Sequence, residues 1–112
     1  MAIDCSSDEF LITTICHLLR KNKGQHIAVG AASPIPGAAA LLHKAISIQK
    51  VRVSIIHGEA NNPFTDGGRE LFDAAGQGRI DTFFLGGAQI DGKANLNLIG
   101  VGDYPDVKRR FP

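Results

Sequence analysis

The chain has 112 residues, an apolar fraction of 44% and a net charge of +1. This length predicts one domain with enough apolar residues for a core, and the near-neutral charge gives no sign of a nucleic-acid or membrane surface. The sequence contains neither a long apolar run nor an N-terminal export signal, so we expect a soluble, cytoplasmic protein. Cys5 and Cys16 form no zinc pattern and the four histidines are scattered, which predicts free thiols and no metal site.

The first predicted element is a helix over residues 6–24. Ser6 and Glu9 have the spacing of a capping box, and Gly24 is a plausible C-terminal stop. His17 falls inside this helix, where a single histidine is more often structural or solvated than catalytic. Apolar residues recur at helical spacing and predict one buried face: Leu11, Ile15, Leu18 and Leu19.

A short buried strand is predicted over residues 26–30, followed by a turn over 31–37 whose two prolines argue against regular helix. A second helix is predicted after the turn, with one apolar face formed by Ala38, Leu41, Leu42 and Ala45. Strand, glycine-containing loop and helix form half of a βαβ unit, and such folds bind ligands at the carboxyl ends of their strands. Gly30 and Ser33 are therefore candidate binding residues, although no Gly-Lys-Ser/Thr follows as in a Walker phosphate loop.

The next predicted strand spans residues 51–57 and leads directly to Glu59. A carboxylate two residues beyond a strand end can face a ligand, although an exposed loop glutamate is the plainer interpretation. A third helix is predicted next, capped by Thr65 or Asp66, and its expected core residues are Leu71, Phe72 and Ala75.

The stretch 82–104 begins as a buried strand and breaks at Gly86-Gly87. Paired glycines allow the backbone to pass close to a ligand or to another strand. Polar residues then alternate with apolar ones: Gln89, Asp91, Asn95, Asn97 and Asp103. They suit the mouth of a sheet, but also a glycine turn followed by a solvated strand. Helix and strand patterns alternate over residues 6–99, which predicts an α/β domain with a mostly parallel sheet.

The residues Gly86-Gly87-Ala88-Gln89-Ile90-Asp91, then Asn95-Leu96-Asn97 and Gly102-Asp103-Tyr104, resemble the beta subunits of family I coenzyme A transferases, the glutaconate CoA-transferase group. The resemblance extends back to residues 27–30 and 33–37. It implies a CoA-transferase (NagB/RpiA-like) α/β fold. Members of that group are about twice as long, with a glycine-rich loop where this chain stops. We therefore expect residues 1–112 to be the N-terminal part of a beta-type subunit, with an incomplete sheet whose apolar surface another chain covers.

The resemblance also implies a reaction, in which coenzyme A is exchanged between an acyl-CoA and a carboxylic acid. Glu59 lies where these proteins carry their nucleophilic glutamate, which would form a glutamyl-CoA thioester. Here Ala60-Asn61 follow, where the family has Ser-Gly or similar. The implied binding residues for coenzyme A and substrate are Gly30, Ser33, Gly86, Gly87 and Gln89.

Coenzyme A is the substrate in this chemistry, and no cofactor or metal is required. The expected partner is a CoA-transferase alpha subunit within an oligomer. Two alternatives remain. The chain is a catalytically silent module that binds acyl-CoA or assembles with a partner carrying the nucleophile, or it belongs to a related acyl-CoA hydrolase.

Overall fold

The computed structural model describes residues 4–22, 26–65, 67–103 and 105–110. Gly24, Asp66 and Tyr104, each of which carries a prediction above, lie outside these ranges. The helices and strands, in chain order, are α1 (Ser7–Lys21), β1 (His26–Val29), α2 (Pro34–Ile46), β2 (Arg52–Ile55), α3 (Gly67–Gly76), β3 (Thr82–Phe84), β4 (Gln89–Ile90), β5 (Leu96–Asn97), β6 (Gly100–Val101) and β7 (Arg109–Arg110). None of the described helices has both the length and the apolar character that a membrane crossing requires.

Three parallel strands form the central sheet in the order β2-β1-β3. Ile27 of β1 is in register with Val53 on one side and with Thr82 on the other. All four residues of β1 are buried, as expected for a central strand covered on both faces. The prediction of an α/β fold with a mostly parallel sheet is confirmed.

Helices cover both faces of this sheet. On one face, α1 and α2 contribute Leu19 and Ala40 to a core cluster that also contains Ile27, Val29, Val51 and Val53. On the other face, Leu71 of α3 packs with Ala28 and Ile56. Phe72, an expected core residue, is 47% exposed and contacts the edge of the Phe83 ring at a centroid distance of 5.7 Å. The helices and the sheet therefore form three layers around a small core.

Helix α1 begins with the predicted capping box. The Ser6 hydroxyl accepts a hydrogen bond from the Glu9 backbone N–H at 3.1 Å, and the Glu9 carboxylate accepts one from the Ser6 N–H at 3.4 Å. At the other end, Asn22 is the C-cap, and its N–H donates to the carbonyl of Leu19 at 3.2 Å. The helix ends are therefore stabilised by local hydrogen bonds that the sequence already indicates.

Replacing Ser6 with alanine should lower the free energy of unfolding by about 1 kcal/mol, because the Glu9 N–H at the start of α1 loses its acceptor, the Ser6 hydroxyl. Ser7→Ala, one residue further along and exposed, is the matched control and should change stability by less than about 0.5 kcal/mol. Urea unfolding at fixed protein concentration measures both. Equal effects of the two variants would contradict the capping role.

Helix α2 begins earlier than predicted, at Pro34, so the expectation that residues 31–37 form only a turn is wrong. Both Pro34 and Pro36 lie in the first helical turn, where backbone N–H groups have no intrahelical partner in any case. The first helical hydrogen bond runs from the Gly37 N–H to the Ser33 carbonyl at 3.0 Å. Proline therefore starts this helix without costing it a hydrogen bond.

The alternation of helix and strand ends at β3. The residues that follow form two short antiparallel pairs, β4 with β5 and β6 with β7, instead of further parallel strands. In the second pair, a side chain at Gly100 would collide with the backbone of Arg109, so only glycine allows this close approach.

Much apolar surface is left outside the core. Exposed large apolar residues lie on α1, on and just after α2, and around β4 to β6, and include Phe10, Leu18, Ile46, Ile48, Ile90 and Ile99. The radius of gyration is 15.9 Å, against about 13 Å for a compact domain of this length. Within the described part of the chain, β2 and β3 each have one edge without a strand partner in the sheet. These features favour the expected cover by another chain, which stays a prediction.

Candidate functional site

A cleft of about 720 Å³ opens at the carboxyl ends of the three parallel strands. Its walls come from the turn after β1, the residues that follow β2, one side of α3 and the segment after β3. Parallel strands bring the loops at their carboxyl ends to one edge of a sheet, which is the usual ligand site of such folds. The strand topology therefore brings segments that are distant in the chain together around one cleft.

Four of the predicted site residues line this cleft: Gly30, Ser33, Gly86 and Gly87. The Gly30 N–H donates to the carbonyl of Phe84 at 2.9 Å, which extends the β1–β3 pairing by one residue. A Cβ atom at Gly30 would lie 3.3 Å from that carbonyl oxygen, so glycine permits the close approach of the two chain segments. This contact holds the glycine pair next to the end of β1.

Glu59 and Gln89 are not among the cleft-lining residues. Glu59 is exposed, and the residues after it turn back along the outer edge of β2, where the Ile55 N–H donates to the Asn61 carbonyl at 2.7 Å. The Gln89 side-chain oxygen accepts a hydrogen bond from the Asn97 amide at 2.9 Å on the small antiparallel sheet. The roles assigned to these two residues stay predictions.

His57 lines the cleft and was not selected from the sequence. It occupies the third position of the turn Ile55–Gly58, which is closed by a hydrogen bond from the Gly58 N–H to the Ile55 carbonyl at 3.1 Å. Its backbone φ is 62°, a value that usually favours glycine or asparagine. The sequence predicts His57 as the last residue of the strand. In the structure the strand stops at Ile55, and the turn that follows brings His57 to the cleft. The only available signal was a titratable residue at a strand end.

The cleft offers few hydrogen-bond donors. Its walls are mainly apolar, and Ser33 and His57 are the only polar side chains among its described residues. The nearby start of α2 contributes little, because Pro34 and Pro36 have no N–H and the Ser33 hydroxyl donates to the Ala31 carbonyl at 3.3 Å. By contrast, the backbone N–H groups of the Gly86-Gly87 pair donate to no acceptor within the described part of the chain.

The polar residues after the glycine pair build a turn. The Asp91 carboxylate accepts hydrogen bonds from the Lys93 N–H at 2.8 Å, the Asn95 N–H at 2.9 Å and the Asn95 side-chain amide at 2.8 Å. The hydrogen bond from the Asn95 side chain, followed by those from the two backbone N–H groups, lowers the pKa of Asp91 below its ordinary value of 3.8. Asp91 therefore stabilises the β4–β5 connection and is not directed at the cleft.

The turn stabilised by Asp91 should become less stable at acidic pH. Because its folded pKa lies below 3.8, the ionised carboxylate stabilises the turn above that pH, and this contribution is lost as the pH falls through the folded value. The Lys93 and Asn95 amide resonances should therefore move with pH below about 3.8 in an NMR titration. In Asp91→Ala the same amides should show no such step, and a step that persists would contradict the assignment.

Within the described ranges, no three His, Cys, Asp or Glu side chains come together as a metal site would require. Cys16 is buried on α1 and Cys5 is exposed before it, both as free thiols. The expectation of metal-free, cofactor-free chemistry stays a prediction.

One protein family and several solved structures resemble this chain. The profile described as coenzyme A transferase matches residues 12–112. The crystal structure of the decarboxylase AibA/AibB matches with 22% identity and a TM-score of 0.72, over 97% of this chain and 52% of that chain. A variant of the same decarboxylase matches over the same shares with 22% identity and a TM-score of 0.71.

At this level of identity the two structures establish a shared fold. The chain spans about half the length of the solved chains that it matches. A search of curated proteins finds no significant match.

Proposed function

The chain belongs to the coenzyme A transferase family, and we propose that it is the N-terminal part of a beta-type subunit that exchanges coenzyme A between an acyl-CoA and a carboxylic acid. Its partner in this proposal is an alpha-type subunit. The matched decarboxylase, AibA/AibB, also has two named components. The observation that carries the proposal is the cleft at the carboxyl edge of the sheet, within a chain that the family profile matches over residues 12–112.

The cleft suits the reacting end of an acyl-CoA. Its volume of about 720 Å³ lies in the range of small-molecule sites, and its mainly apolar walls suit an acyl chain and the arm that bears the thioester. The N–H groups of Gly86 and Gly87 can donate to the oxygen that becomes negative when a thioester carbonyl is attacked. A side chain at Gly87 would meet Leu96 at 3.1 Å, so the glycine also keeps this wall close.

Glu59 is the proposed nucleophile. Its carboxylate attacks the thioester carbonyl, the carbon–sulfur bond breaks with its electron pair going to sulfur, and an acyl-glutamyl anhydride and coenzyme A are formed. The sulfur of coenzyme A then attacks the glutamyl carbonyl, which releases the first acid and leaves a glutamyl-CoA thioester. The acceptor acid reverses these steps. For this role, the loop at residues 58–61 must present Glu59 to the cleft in the assembled enzyme.

A second candidate is favoured by the position of Glu59 outside the cleft lining. In that case the chain binds acyl-CoA or assembles the enzyme while a partner residue acts as nucleophile, or water replaces the acceptor acid and the complex is a hydrolase.

Trapping the covalent intermediate separates these candidates. The chain, co-expressed with its alpha-type partner, is incubated with a series of acyl-CoA thioesters, and the glutamyl thioester is reduced with borohydride and mapped by mass spectrometry. Exchange with a modified Glu59 peptide is the expected result. Modification of a partner glutamate would contradict the role of Glu59, and release of free acid without exchange would favour the hydrolase.

A further inference from the structure

His57 is the one titratable side chain among the described residues that line the cleft. It is exposed to solvent within that lining. Glu59, the other charged residue near this strand end, lies in the segment that turns back along the edge of β2 and is not part of the cleft lining. Among the described residues that line the cleft, His57 is therefore the side chain best suited to carry a proton.

The backbone at His57 is held firmly in an unfavourable conformation. The preceding N–H, of Ile56, donates to the Val29 carbonyl of the central strand at 3.0 Å, and the following N–H, of Gly58, closes the turn onto Ile55. A positive φ is uncommon for residues other than glycine, and such backbone conformations cluster at functional sites. The same turn would form more easily with glycine or asparagine at this position.

We propose that His57 carries the thiol proton of coenzyme A during cleavage and re-formation of the thioester. This inference rests on the proposed acyl-CoA chemistry of the cleft. When a nucleophile displaces coenzyme A, the electron pair of the breaking carbon–sulfur bond goes to sulfur, and the imidazolium of His57 gives its proton to that sulfur. In the reverse direction, the neutral imidazole removes the proton from the thiol as sulfur attacks the acyl carbonyl, so proton and charge balance over the cycle.

The chemistry of the two groups suits this exchange. Ordinary imidazole and thiol pKa values differ by about two units, so a proton passes between such groups in either direction near neutral pH. An alkyl thiolate in a mainly apolar cleft is poorly solvated, and a proton donor next to it assists its departure. Among the described cleft residues, Ser33 is the one other polar side chain, and its hydroxyl is directed to a backbone carbonyl.

The other histidines provide the controls. His26 is buried, and its ring lies between the Arg79 carbonyl at 2.9 Å and the Ser54 hydroxyl at 2.7 Å. His43 is buried on α2, whereas His17 is exposed on α1 and does not line the cleft. His17 is thus the matched exposed histidine outside the site.

Chemical modification tests the location of His57. The assembled enzyme is treated with diethylpyrocarbonate in the presence and absence of coenzyme A, and the modified peptides are quantified by mass spectrometry. Coenzyme A should slow modification of His57 at least severalfold and should leave the rate at His17 unchanged. Equal rates at His57 with and without coenzyme A would overturn the proposal, whatever residue acts as nucleophile.

Kinetics test its role. His57→Asn keeps the positive φ that asparagine tolerates, and it should lower the rate of acyl-CoA cleavage by about 10²–10⁴-fold. With an aryl thioester of the same acid, whose thiol leaves without a proton, the loss should shrink at least tenfold.

His17→Gln should behave as the parent enzyme on both thioesters. Equal losses by His57→Asn on both thioesters, or activity within twofold of the parent on acyl-CoA, would overturn the proposal. These outcomes are independent of the trapping experiment, because the thiol also needs a proton if a partner residue or water is the nucleophile.

Discussion

Replacing Glu59 with alanine should abolish exchange of coenzyme A by the assembled enzyme and leave the fold of this chain intact. The carboxylate is the proposed attacking group, and alanine offers no atom that can form the anhydride. Glu59 is exposed in a loop, so the substitution removes little packing. Glu59→Asp retracts the carboxylate by one methylene, and a displacement of that order is expected to cost about a hundredfold in rate.

The measurement is the transfer of coenzyme A to an acceptor acid, with unfolding curves recorded for each variant. Asp73→Ala, which removes an exposed carboxylate from α3, is the matched control and should retain full exchange. If Glu59→Ala exchanges coenzyme A at the parent rate, the nucleophile is elsewhere. A loss in Glu59→Ala with a partner glutamate trapped in the parent would show that Glu59 has a supporting role only.

Replacing Ile27 with alanine should lower the free energy of unfolding by about 2–5 kcal/mol. Ile27 is 1% exposed at the centre of the parallel sheet, and its cluster includes Leu19 of α1 and Ala40 of α2. Removing three of its side-chain carbons leaves a cavity where the helices meet β1. Most small domains have total stabilities of about 5–15 kcal/mol, so this loss is a large share.

Urea unfolding at fixed protein concentration measures this effect, because association with a partner would add to apparent stability. Ile48→Ala is the matched control. It is the same chemical change at a fully exposed side chain, and it should alter stability by less than about 0.5 kcal/mol. A loss below about 1 kcal/mol for Ile27→Ala would mean that the centre of the sheet is less closely packed than the structure shows.

Sequence patterns predicted the three helices and the three parallel strands because these depend on neighbours along the chain. The Ser6 and Glu9 capping box is formed between residues three apart. Helical spacing selected Leu19, which α1 buries, but also Leu11 and Leu18, which are exposed, so the predicted face of α1 was correct only in part. The start of α2 was missed because proline was taken as a helix breaker. At Pro34 and Pro36 the missing N–H groups had no helical partner to lose.

Three glycine residues of the cleft were also selected from local pattern, since glycine next to a strand end indicates close approach of backbone. Sequence patterns placed Gly30 and the Gly86-Gly87 pair at strand ends of one sheet, but gave no order for the strands. Their proximity follows from the pairing of β1 with β3, which brings residues more than fifty positions apart to one edge. The polar residues after the pair were misleading in part, because Asp91 is occupied by its own turn.

The sequence by itself therefore determined the helices, the parallel strands and the strand ends at which a ligand site is expected. These features depend on hydrophobic periodicity and helix capping, which act between residues close together in the chain. Only the tertiary structure decided that β1 is central, that His57 lines the cleft at a positive φ, and that the chain after Glu59 runs along the edge of β2. Strand order and loop direction arise from hydrogen bonds between distant segments, such as Ile56 to Val29 and Ile55 to Asn61. Patterns of neighbouring residues carry no information on those pairings. The side chains that line the cleft because of them are therefore known only from the fold.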